Sequence, residues 1–418
     1  MDNVVNLQTA GGKRSNRRRK PSSKTALVLG GGGFTGGVYE IGALRALDLL
    51  AVNKSINDFD IYVGTSAGSL VASFAANGIT PEQMMRVVND QVPTPFADMN
   101  LNMLLRLNVR EFLAKGLQLP WNLARIAKEI PRSIATLSPM ELAIALADTL
   151  PSGFYTGSGI EEYVRDVLTT DGRTDDFRGL SNELYLAATD LDTCERIVLG
   201  AEGWDDVPIS SAVRASAALP MVYKPHVIKD RQLIDGGIVS TTNLDIAVEA
   251  GAKLVLVVNP LVPYVNDFQS EVGSLLGGSR PRHISDLGFT KIGYQTFKLI
   301  AYQRLHEMAR TWEERYPGVD IVLIEPEPDD RLMFETDVMN YSSRIDVARH
   351  GFQSVTVRLA SDYERLYEIA ARHGLEISAT RVRKVVQHFG VEREKTRAWR
   401  RILEQTTGAL LRQSASAD

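Results

Sequence analysis

A five-residue turn, Gly64-Thr65-Ser66-Ala67-Gly68, most constrains what this chain can fold into. It follows a short apolar stretch, Asp60 to Val63, and precedes residues that suit a helix. A Gly-x-Ser-x-Gly turn between a strand and a helix holds its serine in a strained backbone conformation and exposes the hydroxyl at the carboxyl end of the strand. The pattern therefore predicts a strand-turn-helix unit with Ser66 as a nucleophile. A small-residue turn that merely packs a strand on a helix is the alternative.

A second glycine-rich turn lies about one strand-helix-strand unit earlier. Thr25 to Leu29 is a continuous apolar strand, typical of a sheet covered on both faces, and the run Gly30 to Gly37 follows it. The run lacks the Gly-x-Gly-x-x-Gly spacing and the Gly-Lys-Ser/Thr of nucleotide sites, which disfavours a nucleotide-binding module. Backbone amides at such a turn instead suit an oxyanion hole at the same sheet edge as Ser66. The expected donors are the amides of Gly31, Gly32 and Gly33.

A serine nucleophile needs a base, and a carboxylate is the best candidate in this chain. None of the six histidines stands in a small-residue loop directly after an apolar strand. Asp235 does, because Gln232 to Ile234 leads into Asp235-Gly236-Gly237. A partly desolvated carboxylate is basic enough to work with a serine as a dyad. Turn stabilisation by Asp235 is the alternative, and His226 stays open as a third partner, although its place at a strand start favours a structural role.

Five motifs, taken in this order, resemble those of the patatin-like phospholipase family of lipid acyl hydrolases. They are Gly31-Gly32-Gly33, Gly64-Thr65-Ser66-Ala67-Gly68, Ala188 to Thr193, Ala215 to Pro220 and Asp235-Gly236-Gly237. The resemblance covers roughly residues 25–260. It implies an α/β, three-layer patatin-like fold with a parallel-rich central sheet, helices on both faces and a helical C-terminal extension. Gly64, Gly68, Gly236 and Gly237 would be the supporting glycines.

The resemblance implies a serine lipid acyl hydrolase of phospholipase A type (EC 3.1.1.-), which cleaves fatty-acyl esters of a lipid or phospholipid. Ser66 and Asp235 would form the dyad of an acyl-enzyme path, with no metal and no organic cofactor. One departure is Thr35, since the family usually carries Arg or Lys in this loop. That departure leaves open a lysophospholipid or neutral-lipid esterase, or an acyl-thioesterase. The alternative from another class is a catalytically silent patatin fold that acts as a membrane-associated scaffold.

The chain divides by composition into five parts. Residues 1–24 carry seven Lys/Arg against Asp2 alone and predict a disordered basic tail. Within the catalytic domain at 25–260, residues 93–156 interrupt the strand-helix alternation as a helical, cap-like insertion. The remaining parts are a loop at 261–285, a mostly helical C-terminal extension at 286–412 that includes the strand Val319 to Ile324, and a disordered tail at 413–418.

The charge distribution limits the partners of the chain. The formal charge is −4, and the first 24 residues carry +6, which leaves −10 for the remainder. No nucleic-acid partner is therefore expected for the body of the protein. The basic tail and the basic, amphipathic insertion instead suggest peripheral contact with an anionic membrane surface. With one cysteine, Cys194, and no run of 18 apolar residues, we expect a cytoplasmic protein without a membrane span.

Overall fold

The computed structural model describes residues 23–89, 105–117, 150–170, 172–265, 283–328 and 341–389, together with residues 330, 332, 333 and 336. Several predicted segments lie outside the described residues. These are the basic tail up to residue 22, most of the insertion at 93–156, residues 266–282 of the predicted loop, and everything beyond residue 389.

A central, mostly parallel sheet organises the molecule. Its strands are β1 (Thr25–Leu29), β2 (Ile61–Thr65), β4 (Glu183–Asp190), β5 (Arg196–Leu199), β7 (His226–Ile228), β8 (Arg231–Asp235), β9 (Leu254–Val258) and β10 (Asp320–Ile324). The strand order is β10-β9-β1-β2-β4-β8-β7, with β5 paired on β4. The strands from β10 to β4 run parallel, whereas β5, β8 and β7 pair antiparallel. Two short strands, β3 (Gly153–Tyr155) and β6 (Met221–Tyr223), form a separate parallel pair.

Helices connect these strands, as the apolar spacing predicts. They are α1 (Gly33–Leu50), α2 (Ala67–Ala76), α3 (Pro81–Val88), α4 (Ser158–Leu168), α5 (Ile209–Ser216), α6 (Leu244–Glu249), α7 (Phe289–Ala309), α8 (Trp312–Arg315), α9 (Arg344–Ser361), α10 (Tyr363–Arg372) and α11 (Ala379–Phe389). Residues 109–117 are helical as well. The start of α3 is set by a capping box, which Thr80 and Gln83 form around Pro81.

No helix in the described ranges is both long enough and apolar enough to cross a membrane.

The sheet is covered on both faces, which confirms the predicted three-layer α/β fold. Alternate residues of β1 enter different hydrophobic clusters, because successive side chains of a strand point to opposite faces. Leu27 and Leu29 pack on the face that α1, α2 and α9 cover. Ala26 and Val28 pack on the opposite face, where α6 and α7 contribute residues such as Leu305. The central strands are therefore buried on both sides.

The C-terminal segment belongs to the same core. β10 pairs with β9 in parallel register over Asp320 to Ile324, so the sheet extends past residue 260 and the predicted boundary there does not coincide with a sheet edge. α9 also crosses α1 at backbone contact. A Cβ atom added at Gly42 would lie 2.1 Å from the Ala348 oxygen, and one at Gly351 would lie 2.4 Å from the Tyr39 oxygen. Only glycine permits this approach of the two helices.

Candidate active site

The turn between β2 and α2 holds Ser66 in a strained conformation. Ser66 has φ 56° and ψ −126°, a backbone region that non-glycine residues rarely occupy. Close packing imposes this geometry. A Cβ atom at Gly64 would lie 2.5 Å from the Ser69 Cα, and one at Gly68 would lie 2.5 Å from the Gly30 oxygen. The predicted strand-turn-helix unit is confirmed, and both flanking glycines are sterically required.

Strand pairing explains how Asp235 comes to lie beside this turn. β4 pairs with β5 over Leu186 to Thr189, while β2 reaches Ala187 and β8 begins at Ala188. A strand has only two edges, so β2 and β8 must share the edge that β5 does not occupy. They lie there end to end, with Thr65 opposite Ala187 and Asp235 opposite Ala188. The residue after Thr65 therefore faces Asp235.

The side chains of Ser66 and Asp235 are in direct contact. The Ser66 hydroxyl donates a 2.5 Å hydrogen bond to Asp235 Oδ2, across 169 positions of sequence. The other carboxylate oxygen, Oδ1, accepts a 2.7 Å hydrogen bond from the Gly237 amide. Both residues are buried, at 8% and 2% exposure. The geometry fits the transfer of a proton from a serine hydroxyl to a carboxylate.

Burial makes Asp235 a stronger base than an ordinary aspartate. Desolvation raises the pKa of its carboxyl to about 6, against the opposing effect of the hydrogen bonds from Ser66 and Gly237. Asp190, on the neighbouring strand β4, is equally inaccessible. Its pKa is nevertheless lowered, because turn amides at Asp192 and Thr193 and the Arg231 guanidinium outweigh desolvation. The pKa values of the two aspartates therefore shift in opposite directions, because Asp190 accepts hydrogen bonds from a guanidinium and two turn amides whereas Asp235 accepts from a serine hydroxyl and one amide.

The glycine-rich turn lies against the serine, but it supplies fewer free amides than the sequence predicts. A Cβ atom at Gly31 would lie 3.3 Å from the Ser66 Cβ. The Gly31 amide, however, donates to the Thr241 oxygen at 2.9 Å, so the expectation that it is an oxyanion donor is wrong for this arrangement. Within the described residues, no partner takes the amides of Gly32 and Gly33, where α1 begins. Those two donors remain for an anion.

Several supporting residues were not predicted from the sequence. Ser216 accepts a 3.0 Å hydrogen bond from the Ser66 amide, which fixes the strained turn. Thr189 donates to the Asp235 backbone oxygen at 3.1 Å, and Asn243 donates to the Thr65 hydroxyl at 3.0 Å. Ser216 stands inside the stretch Ala215 to Pro220 that carries the family resemblance, which was the one available signal. The other two come from long-range packing.

His226 lies apart from the dyad. Its Nε2 is 2.8 Å from the Ser211 hydroxyl. Burial, followed by the nearby Arg214 guanidinium, lowers the pKa of its ring to about 4, so it is neutral at physiological pH. The observed contact agrees with the structural role that its position favoured. Thr35, the position where the family usually has a cation, is buried in the first turn of α1.

Among the residues that the structure describes, no group of three or more His, Cys, Asp or Glu side chains could hold a metal ion.

The fold and this site define an α/β protein that has a Gly-x-Ser-x-Gly turn between a strand and a helix. A family model described as patatin-like phospholipase matches residues 27–248, which is more than half of the chain. The chain therefore belongs to the patatin-like phospholipase family, and lipid hydrolysis is the general activity that this membership supports.

Sequence relatives are distant. The chain is 22% identical over 249 residues to "Probable lipid hydrolase 463L" of Invertebrate iridescent virus 6. The matched region spans 60% of this chain and 72% of the viral protein. It is also 22% identical over 221 residues to "Uncharacterized protein YqhO" of Bacillus subtilis (strain 168), covering 50% of this chain and 64% of that protein.

Among solved structures, VipD from Legionella pneumophila is 14% identical, with a TM-score of 0.35 over 82% of this chain and 67% of VipD. The type III effector ExoU of Pseudomonas aeruginosa is 15% identical, with a TM-score of 0.34 over 82% of this chain and 53% of ExoU. Similarity at this level carries no argument about the activity of the chain.

Proposed function

We propose that the protein is a serine lipid acyl hydrolase of phospholipase A type, which cleaves fatty-acyl esters with Ser66 as nucleophile and Asp235 as base. The observation that supports this most directly is the 2.5 Å hydrogen bond from the Ser66 hydroxyl to the buried Asp235 carboxylate. A turn under backbone strain, two amides in the adjacent loop that have no partner in the described part of the chain, and membership of a lipid hydrolase family agree with it.

In this mechanism the Ser66 Oγ attacks the ester carbonyl carbon while its proton passes to Asp235 Oδ2. The carbonyl oxygen becomes an oxyanion, which the amides of Gly32 and Gly33 stabilise. The tetrahedral intermediate collapses, Asp235 returns the proton to the leaving alcohol, and an acyl-serine remains. Asp235 then deprotonates a water molecule that attacks the acyl-serine. The free fatty acid leaves, and the proton returns to Ser66.

The test is labelling with a fluorophosphonate probe together with fatty-acid release from mixed phospholipid vesicles. We expect Ser66→Ala to abolish both signals and Asp235→Asn to abolish turnover. Asp190→Asn is the matched control, because it changes a buried aspartate on the adjacent strand without touching Ser66. A folded wild type that neither labels nor releases fatty acid would overturn the proposal in favour of a silent scaffold. Release from lysophospholipid, neutral lipid or acyl thioester alone would redirect the substrate assignment.

We further infer that an apolar surface beside the dyad rests on the membrane. The Asp235 amide donates to the Ala218 oxygen, and three residues later Met221 is 76% exposed. Met221 pairs with Gly153 of β3, next to Phe154, whose ring is 6.0 Å from that of Phe112. Exposed apolar side chains continue from there along the neighbouring helix. They are Val109, Leu113 and Leu117, and Leu107 lies exposed just before the helix, bridged to Tyr155.

Arg110 is exposed on the same helix and suits an anionic headgroup region. The test is sedimentation with anionic vesicles. We expect the triple variant Leu113→Ser, Leu117→Ser, Met221→Ser to lose binding. A matched variant of exposed apolar residues on α7, Phe289→Ser and Ile300→Ser, should keep it. Equal binding by both variants would exclude this surface.

A further inference from the structure

A carboxylate at each end of β10 pairs with a histidine from another part of the chain. At its amino end, Asp320 Oδ2 lies 2.7 Å from His373 Nε2. Directly after its carboxyl end, Glu325 Oε2 lies 2.9 Å from His306 Nε2. β10 runs parallel to β9, β1 and β2, so the Glu325 pair is at the sheet edge that holds Ser66, and the Asp320 pair is at the opposite edge. Both pairs join a histidine to a carboxylate, but their neighbours differ, because Asp320 also accepts two hydrogen bonds from the Arg372 guanidinium.

Glu325 also reaches the residue that follows β9. Its Oε1 accepts a 2.7 Å hydrogen bond from the Asn259 side-chain amide. Asn259 is completely buried, and its backbone amide donates to the Ile324 oxygen at 2.9 Å. Asn259 is therefore held to the end of β10 by its backbone and by its side chain. A buried amide in this position loses much of its constraint if the carboxylate is removed.

Asn259 and the following Pro260 form the wall behind the glycine-rich turn. A Cβ atom at Gly30 would lie 3.2 Å from Asn259 Oδ1, and one at Gly32 would lie 2.8 Å from Pro260 Cγ. The Gly30 amide donates to the Val258 oxygen, one residue before Asn259. Packing this close means that a shift of Asn259 or Pro260 moves the turn that presents the Gly32 amide.

We propose that His306, Glu325 and Asn259 form a brace that positions the glycine-rich turn for catalysis. Glu325 and His306 are positioning residues, because they act on the turn through Asn259. This inference rests on the proposed function, since it assigns the brace to the oxyanion hole of that reaction. Disturbing the brace should slow the chemical step while substrate binding is retained, because the amides stabilise charge that develops only in the transition state.

The test compares Glu325→Leu with Asp320→Leu, which removes the equivalent carboxylate from the other end of β10. For Glu325→Leu we expect kcat and the rate of fluorophosphonate labelling to fall about 10- to 100-fold with little change in KM, as for a small misplacement of catalytic groups. Asp320→Leu should keep the wild-type rates even where its melting temperature falls. Glu325→Gln retains an oxygen that can accept from Asn259 and should recover most of the rate.

A second pair of variants covers the case in which Glu325→Leu does not fold. His306→Ala removes a ring that is 32% exposed and should slow labelling severalfold, whereas His373→Ala should not. If the variants at the two ends of β10 have the same rates, or if only KM changes, the brace has no part in catalysis. That outcome differs from failure of the proposed function, in which the wild type itself neither labels nor hydrolyses lipid.

Discussion

The two carboxylate oxygens of Asp235 accept hydrogen bonds from different groups: Oδ2 from the Ser66 hydroxyl at 2.5 Å, and Oδ1 from the Gly237 amide at 2.7 Å. The Gly237 contact fixes the carboxylate plane, and burial leaves the oxygen that faces the serine poorly solvated. A carboxylate arranged in this way can receive a proton without rotating. In the proposed reaction, its protonation state would control whether Ser66 can react.

Activity should rise with pH through about 6. Burial raises the pKa of Asp235 to about 6, so the base is increasingly protonated, and inactive, below that pH. We expect kcat/KM to fall close to tenfold per pH unit on the acid side and to reach a plateau above pH 7. Labelling rates from pH 4.5 to 8 measure this. Asp190→Asn should show the same profile, and an inflection near pH 4 would contradict a desolvated base.

The same burial destabilises the folded protein at neutral pH. The folded pKa of about 6 exceeds the value of about 3.9 for an unfolded aspartate, so the native state binds more protons between these values. Stability from this group is therefore present below pH 4 and is lost as pH rises to about 6. Relative to wild type, Asp235→Asn should gain about 2 kcal/mol in unfolding free energy between pH 4 and pH 7. Urea unfolding at both pH values tests this, and a pH-independent difference would contradict it.

Ser216→Ala should slow the reaction as well as destabilise the fold. The substitution leaves the buried Ser66 amide without its acceptor, at a cost of about 1–3 kcal/mol in unfolding free energy. Because that amide belongs to the strained turn, the labelling rate should also fall, by about tenfold for each 1.4 kcal/mol lost in the transition state.

Ser210→Ala is the control for this prediction. Ser210 is equally buried on the same helix, and its hydroxyl donates to Asp175 at 2.7 Å, away from the serine turn. We expect a similar loss of stability with a wild-type labelling rate. Equal labelling rates in both variants would mean that Ser216 only packs the helix.

The crossing of α1 and α9 should not accept a side chain at Gly42. An added methyl group would lie 2.1 Å from the Ala348 oxygen, so the helices must separate, and Gly42→Ala should lose about 1–3 kcal/mol of unfolding free energy. Gly293, in α7, has no atom within 4 Å of an added Cβ. Gly293→Ala should therefore gain about 0.5–1 kcal/mol from helix propensity. Chemical unfolding of both variants gives the comparison, and two changes of the same sign would refute it.

Local sequence signals predict much of the fold and the two central residues of the site. The strand at 25–29 and the helix that follows Ser66 are predicted from apolar runs and turn chemistry, and the structure confirms them. Asp235 could be found because it stands directly after an apolar strand and before two glycines, a place that none of the six histidines shares. These features depend on neighbouring residues alone.

Features that depend on distant residues were not predictable. The Gly31 amide is taken by the Thr241 oxygen, and no local pattern in the glycine run indicates such a partner. α5 ends at Ser216, because the Ala218 oxygen accepts from the Asp235 amide and the chain must leave the helix to reach it. The pairing of β10 with β9 likewise joins segments more than 60 residues apart.

The place of β10 and α9 in the core has a consequence for the order of synthesis. Every residue that we assign to the reaction has left the ribosome long before Glu325 and α9 are made. Until then the wall behind the glycine-rich turn is unbraced and α1 lacks the helix that crosses it. A nascent chain stalled near residue 300 should therefore not react with a fluorophosphonate, whereas one with residue 389 outside the exit tunnel should. An enzyme of this kind would stay inert toward lipids while it is being translated.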